Sequence, residues 1–325
     1  MGVNSVIFAN TSASSRIGSM LTAERLQRLI DCQGTEELKK CLTEFGYEGE
    51  TTDDMFAAAL NGIYAYVREL SPVPAAGNAI LKKNDYHNAK VMAKCKYARR
   101  EITQDLLYPH GLIPAGTLKE DVLNDDYNLL PAPMRDALEE VDLRFSQGER
   151  NGRLIDCLLN RATYADIFET LGKGCAELKE IFVLEADFAN ISSAMRIRKN
   201  GLPKAALDEE FIPGGQLPKG RVEALLEIAP ENVASAYVLS EYKELIGLAC
   251  GELTADALTE YERASDNLII RKLRAYRNSA SGYMMFYSYC LARVYELKNV
   301  RIIAGGVRAG DPKEKIKAKL RESYV

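Results

Sequence analysis

Three acid-x-x-Asn steps form the most regular polar pattern in the chain. They are Asp85-Tyr-His-Asn88, Asp187-Phe-Ala-Asn190 and Glu296-Leu-Lys-Asn299, at intervals of 102 and 109 residues. On a helix, residues i and i+3 share a face. Carboxylates set in this way could hold a metal ion or relay protons. The surroundings favour a different use. Heptad steps along each face give Leu81, Asp85, Asn88, Met92 and Cys95; then Val183, Asp187, Asn190, Ala194 and Ile197; then Ala292, Glu296, Asn299, Ile303 and Gly306. Each acid and amide interrupts an apolar stripe, which predicts burial where helices cross. Buried polar groups need partners. A helix end would serve, as would Lys90, Arg196, Arg198 or Arg301, and the sequence does not choose among them.

Metal chemistry is further disfavoured by counting. The only histidines are His87 and His110, too few for the usual nitrogen-rich ligand sets. Asn124-Asp125-Asp126-Tyr127-Asn128 is the densest acidic run, but it reads as a surface turn without further ligands. A magnesium-dependent, all-α prenyl-transfer synthase would need an aspartate-rich helix motif such as DDxxD, and none occurs. Neither GxxxxGK[ST] nor a GxGxxG opening a helix after a strand is found. Seven cysteines, an odd number with no CxxC pair, read as reduced and mostly buried thiols. No residue is therefore assigned a catalytic, cofactor-binding or metal-binding role, and no cofactor is expected.

The elements that position these residues read as helices throughout. The chain has 325 residues, 47% hydrophobic and 27% charged, with a net charge of −4. That composition fits a folded globular protein and disfavours nucleic acid as a partner. The N-terminus lacks the basic and apolar regions of a secretory signal. The most apolar stretch, 283–292, is half the length a bilayer needs, so no membrane span is expected. Thr35 is expected to cap a helix carrying Leu38, Cys41, Leu42 and Phe45, ended by Gly46. The next stripe is Phe56, Ala59, Leu60, Ile63, Tyr64 and Val67, stopped at Ser71-Pro72. Further helices are expected from about residue 78 and over 132–145, 153–171, 177–198, 231–248, 254–277 and 282–303. No strand-like alternation of useful length appears, so the class is all-α.

A repeat of about a hundred residues underlies the order. Leu21-Thr-Ala-Glu-Arg-Leu26, Thr117-Leu-Lys-Glu-Asp-Val122 and Leu217-Pro-Lys-Gly-Arg-Val222 each look like a helix start. The last two follow matching loops, Leu112-Ile-Pro-Ala-Gly116 and Phe211-Ile-Pro-Gly-Gly215. The expected repeats are 1–116, 117–216 and 217–325. Such a unit is much longer than the common solenoid repeats, which counts against a free-standing helical adaptor.

Taken together, 187–198 with 211–217, the end of the chain from Tyr295-Glu-Leu-Lys-Asn-Val-Arg-Ile-Ile303 to Tyr324-Val325, Lys83–Lys90 and Leu21–Tyr47 resemble the C subunit of V/A-type rotary ATPases. That family includes the d subunit of the eukaryotic V-ATPase. The resemblance implies three similar helical subdomains around a pseudo-threefold axis, forming a funnel with a central cavity. It also implies a role without chemistry. Such a protein would sit on the membrane rotor ring at the cytoplasmic face, receive the central stalk, and pass torque between ATP turnover and proton or sodium transport, with one copy per complex.

Two further features bear on that role. Lys313, Lys315, Lys317, Lys319 and Arg321 crowd a last helix expected to be capped by Asp311, with Pro312 at its first position. They suit docking to an acidic surface, although a solvated amphipathic helix is the simpler reading. Tyr283, Phe286, Tyr287, Tyr289 and Tyr295 could line a socket, but core packing is preferred.

Overall fold

The computed structural model describes residues 3–227, 241–252, 254, 256–279 and 282–325. Its elements are α1 (Val3–Ile17), α2 (Ala23–Asp31), α3 (Thr35–Glu44), α4 (Thr52–Leu70), α5 (Pro74–Ala98), α6 (Ala115–Asn124), α7 (Ala132–Ser146), α8 (Gly152–Leu171), α9 (Ala176–Lys199), α10 (Ala206–Glu210), α11 (Lys219–Ala224), α12 (Lys243–Cys250), α13 (Ala257–Arg274), α14 (Met284–Ala309) and α15 (Lys313–Ala318). Among the described residues there is no strand. Most of the helix expected over 231–248 lies outside the described residues, and α12 stands at its end.

The chain divides into two compact units. One is Met1–Val73 with Asp256–Val325, and the other is Pro74–Ala255. In the first unit, α14 packs against α1, α4 and α13. Its residues Met284 to Ala292 are all buried, as a helix surrounded by others must be. Phe286, Tyr287, Tyr289 and Tyr295 belong to this core, while Tyr283 is half-buried. The Tyr287 hydroxyl donates to the Val73 carbonyl at 2.8 Å, so this tyrosine also anchors the turn after α4.

In the second unit, α8 packs against both α5 and α7. The core joins Tyr86, Ala89 and Met92 of α5 with Leu118 and Val122 of α6, Met134, Leu138 and Val141 of α7, and Leu154, Ile155 and Leu159 of α8. At roughly 1.5–3 kcal/mol for each large apolar side chain fully buried, this interior dominates the unit's stability.

Helix starts show where local chemistry sets boundaries. The Thr51 hydroxyl accepts from the Asp54 amide at 3.1 Å, and the Asp54 carboxylate accepts from the Thr51 amide at 3.0 Å. This reciprocal box fixes the start of α4. Two expected caps are corrected. Gly34 precedes α3, and Thr35 is its first helical residue. The last helix begins after Pro312, because Asp311 accepts from the Lys315 ammonium at 2.7 Å instead of capping the backbone. The buried stripe of α4 is Met55, Leu60, Ile63, Tyr66 and Val67. Phe56 and Tyr64 lie at its margin, and the Arg301 guanidinium covers the Phe56 ring at 5.2 Å.

Candidate functional site

Each of the three long helices, α5, α9 and α14, carries one acid-amide step near its middle. All six side chains are buried: Asp85 2%, Asn88 1%, Asp187 0%, Asn190 0%, Glu296 7% and Asn299 2% exposed. Each acid forms a clamp with its amide three residues on, and the clamp grips backbone.

On α5, the Asn88 amide N–H2 donates to the Tyr108 carbonyl at 2.9 Å, and its oxygen accepts from the Tyr108 N–H at 2.8 Å. Asp85 accepts from the N–H groups of Leu112 and Ile113, both at 3.0 Å. On α9, Asn190 makes the same two bonds to Ile212, at 2.8 and 2.7 Å. Asp187 accepts from the N–H groups of Gln216 and Leu217 at 2.9 and 3.0 Å. The offsets are the same in both copies: the acid grips residues four and five positions beyond the one the amide holds.

On α14, Asn299 holds Arg321 by its carbonyl and N–H at 3.0 and 2.8 Å. Glu296 instead accepts from the N–H of Leu21 at 2.5 Å. The gripped backbone here comes from two places, the C-terminal segment and the segment before α2.

A further regularity links the acids to helix starts. Ile113, Leu217 and Leu21 each stand immediately before the first cap residue of a helix, namely Pro114 of α6, Pro218 of α11 and Thr22 of α2. Each acid thus fixes the direction in which the chain enters the next helix. At α6 and α2 the negative charge also lies near the positive end of the helix dipole.

Two glycines make the close approach possible. A Cβ on Gly111 would sit 2.0 Å from the Asp85 carboxylate oxygen, and one on Gly215 would sit 2.0 Å from that of Asp187. Each stands two residues before the end of its gripped loop. Ser19 holds the equivalent place before Leu21, and its side chain is exposed. The acid there is Glu296, whose extra methylene lets the gripped backbone stand further off.

Electrostatics differ among the copies. Burial raises the Asp85 carboxyl to about 6, against the two backbone N–H bonds that favour its charged form. Burial also raises Asp187, which the Tyr242 hydroxyl joins at 2.9 Å. That hydroxyl is itself held above its usual range by burial and by the carboxylate. Glu296 accepts from Tyr47 at 2.9 Å and pairs with Arg293.

None of the four cations suggested as partners meets these acids. Lys90 donates to Asn160 at 2.6 Å, Arg198 to the Ala249 and Cys250 carbonyls, and Arg301 covers Phe56. Arg196 is exposed at the surface of α9. The partner shared by all three acids is main chain, which leaves no side-chain signature.

The C-terminal cations divide. Lys313, Lys315 and Lys317 lie exposed on α15, with Lys313 paired to Asp31 at 2.8 Å. Lys319 ends the helix, and Arg321 lies beyond it. Arg321 is 9% exposed in its side chain and pairs with Asp266 at 2.9 Å, so it belongs to the fixed C-terminal segment and not to an open docking face. Asp266 also binds Lys298 at 3.0 Å, and Asp166 joins Lys82 and Tyr86. Sequence reading missed both of these buried acids, because neither recurs at a fixed spacing.

In the acidic turn, Asp125 pairs with Lys96. Among the described residues no three His, Cys, Asp or Glu side chains are grouped to hold a metal ion. No described helix is long and apolar enough to cross a membrane.

The fold and the clamp define a helical protein whose most regular polar groups position its own main chain. The chain matches the ATP synthase (C/AC39) subunit family over residues 9–319, and it belongs to that family. It is similar to the C subunit of the A-type ATP synthase of Haloferax volcanii, 28% identical over 262 residues, covering 74% of this chain and 72% of the relative. It is also similar to the C subunit of the V-type sodium ATPase of Enterococcus hirae, 21% identical over 315 residues, covering 94% of each.

Proposed function

We propose that this chain is the non-catalytic subunit joining the central stalk to the membrane rotor ring of a V/A-type ATPase, peripheral to the membrane at its cytoplasmic face. The observation that carries the reading is the threefold recurrence of the clamp. Long helices whose buried acids fix the entry to the next helix make a stiff body, and torque transfer requires stiffness. Family membership supplies the complex, and the clamps supply the mechanical property the role needs. The same recurrence supports three repeats, 1–116, 117–216 and 217–325. The carboxylates are committed to backbone N–H groups, which favours structure over chemistry at this site. Pull-down of the tagged chain from its native membranes in mild detergent tests the reading. Co-purification of rotor-ring and central-stalk subunits, with ATPase activity in the eluate, is the expected result. A monomer without such partners would overturn it.

A further inference from the structure

A cavity of about 170 Å³ lies between α8 and α9 in the second unit. That is ample for several ordered waters or one small ion. Its wall includes Arg153, Asn160, Ser193, Arg196, Asn200 and Glu210.

Ser193 is the informative residue. It is 7% exposed, and its hydroxyl has no hydrogen-bond partner among the described residues. Two other buried mid-helix hydroxyls turn back on their own helix: Thr163 donates to Leu159 at 2.6 Å and Ser265 to Tyr261 at 2.8 Å. Among the described residues every fully buried side-chain polar atom has a partner. The Ser193 hydroxyl therefore faces the cavity, where a ligand can meet it.

The other free groups there are also donors. Asn160 spends its oxygen on Lys90, at 2.6 Å, and its N–H2 has no acceptor among the described residues. Among the described residues Arg196 makes no ion pair, and the side-chain amide of Asn200 has no hydrogen-bond partner. The nearby acids are already matched, Glu210 with Arg153 at 3.4 Å and Asp156 with Lys94 at 2.6 Å. What remains is one free guanidinium with hydroxyl and amide donors, a set suited to an oxyanion.

We propose that this cavity binds a small oxyanion of the phosphate class. Arg196 supplies the charge, and Ser193, Asn160 and Asn200 supply directed hydrogen bonds. The test is calorimetric titration of inorganic phosphate into the full chain, with ionic strength held constant by chloride. Saturable one-to-one binding is expected. Arg196→Gln should weaken it about tenfold or more, as loss of a charge-assisted bond implies. Ser193→Ala should weaken it by a smaller factor, and Lys199→Gln, a similar charge change at an exposed neighbour, should not. Arg196 is exposed, so its variant should keep the thermal midpoint measured without phosphate. Absence of saturable heat, or equal weakening by Lys199→Gln, would overturn the proposal.

Discussion

The clamps on α5 and α9 each hold one continuous loop, whereas the clamp on α14 holds two ends of the chain. Asp85 and Asp187 grip residues 28 and 30 positions away at most. Glu296 grips Leu21 across a separation of 275. The bonds are alike, but their consequences differ. The local clamps set the path of a loop that is already tethered nearby. The third cross-links the start of α2 to α14 and so helps explain why one compact unit is made from both chain ends. It is also the one built around an ion pair, with Arg293 and Tyr47 gathered on a glutamate.

That difference predicts an order of damage. Glu296→Ala should be the most destructive change, because it leaves the Arg293 guanidinium and the Tyr47 hydroxyl without their partner. Breaking a buried pair costs about 3–5 kcal/mol. Chemical denaturation of the purified chain should register that loss; a change below about 1 kcal/mol would break the comparison. Asp187→Ala should cost on the order of 1–3 kcal/mol, since it orphans two N–H groups and leaves the Tyr242 hydroxyl only its longer bond to Gln216 at 3.4 Å. A neutral result in thermal unfolding would mean that water replaces the carboxylate and that the clamp is incidental.

Gly215→Ala sharpens the comparison from the other side. Its Cβ would meet the Asp187 carboxylate at 2.0 Å, and overpacking of this kind costs about 1–3 kcal/mol. The double variant Gly215→Ala with Asp187→Ala should be less damaging than the two effects added, because the clash disappears with the carboxylate. Strict additivity of the two losses would show that the glycine serves some other purpose. Ser19→Gly, at the equivalent position of the third clamp, removes no clash and should bring no relief.

How much of this was legible depends on which atoms make the contact. The helices over 132–145, 153–171 and 177–198 were readable because apolar spacing records which face is covered. The three acid-amide steps were readable because they recur on long apolar helices. Their partners were not, since a bond to main chain can be made by any residue. Only Gly111 and Gly215 leave a mark in the sequence, and it is the missing side chain that matters there. The four cations considered as partners show the resulting bias: sequence reading looks for charge against charge, whereas Asp85 and Asp187 are met by N–H groups and a hydroxyl. Glu296 does have a cation, Arg293, one turn before it on the same helix. The ion pair of Arg321 with Asp266 was hidden for another reason. It joins α13 to a segment with no regular structure, and no periodicity relates the two.

A pH measurement separates the clamps by charge state. The Asp85 carboxyl is raised from 3.8 to about 6 in the folded chain. A group whose folded value is raised favours the folded state most when protonated. Its contribution is therefore full below about pH 4 and is lost as pH rises through 6, by on the order of 3 kcal/mol. Wild type compared with Asp85→Asn across that window should show the difference moving against wild type as pH rises. A flat difference would mean that the two backbone N–H bonds offset burial, and a difference moving in favour of wild type would mean that they outweigh it.

The smallest expected effect on stability concerns the exposed lysines of α15. Lys313, Lys315 and Lys317 lie at the surface, and exposed ion pairs contribute little to folding. Replacing all three with glutamine should leave the thermal midpoint unchanged within error, unlike every change made at a clamp. The same variant tests docking, because screening by salt acts on exposed charges. If these lysines meet an acidic partner, recovery of the chain with its membrane complex should fall in low salt and lose its salt dependence. Unchanged, salt-sensitive recovery would assign the docking charge to another face and leave α15 as a solvated helix held down by Ile316, which is 3% exposed.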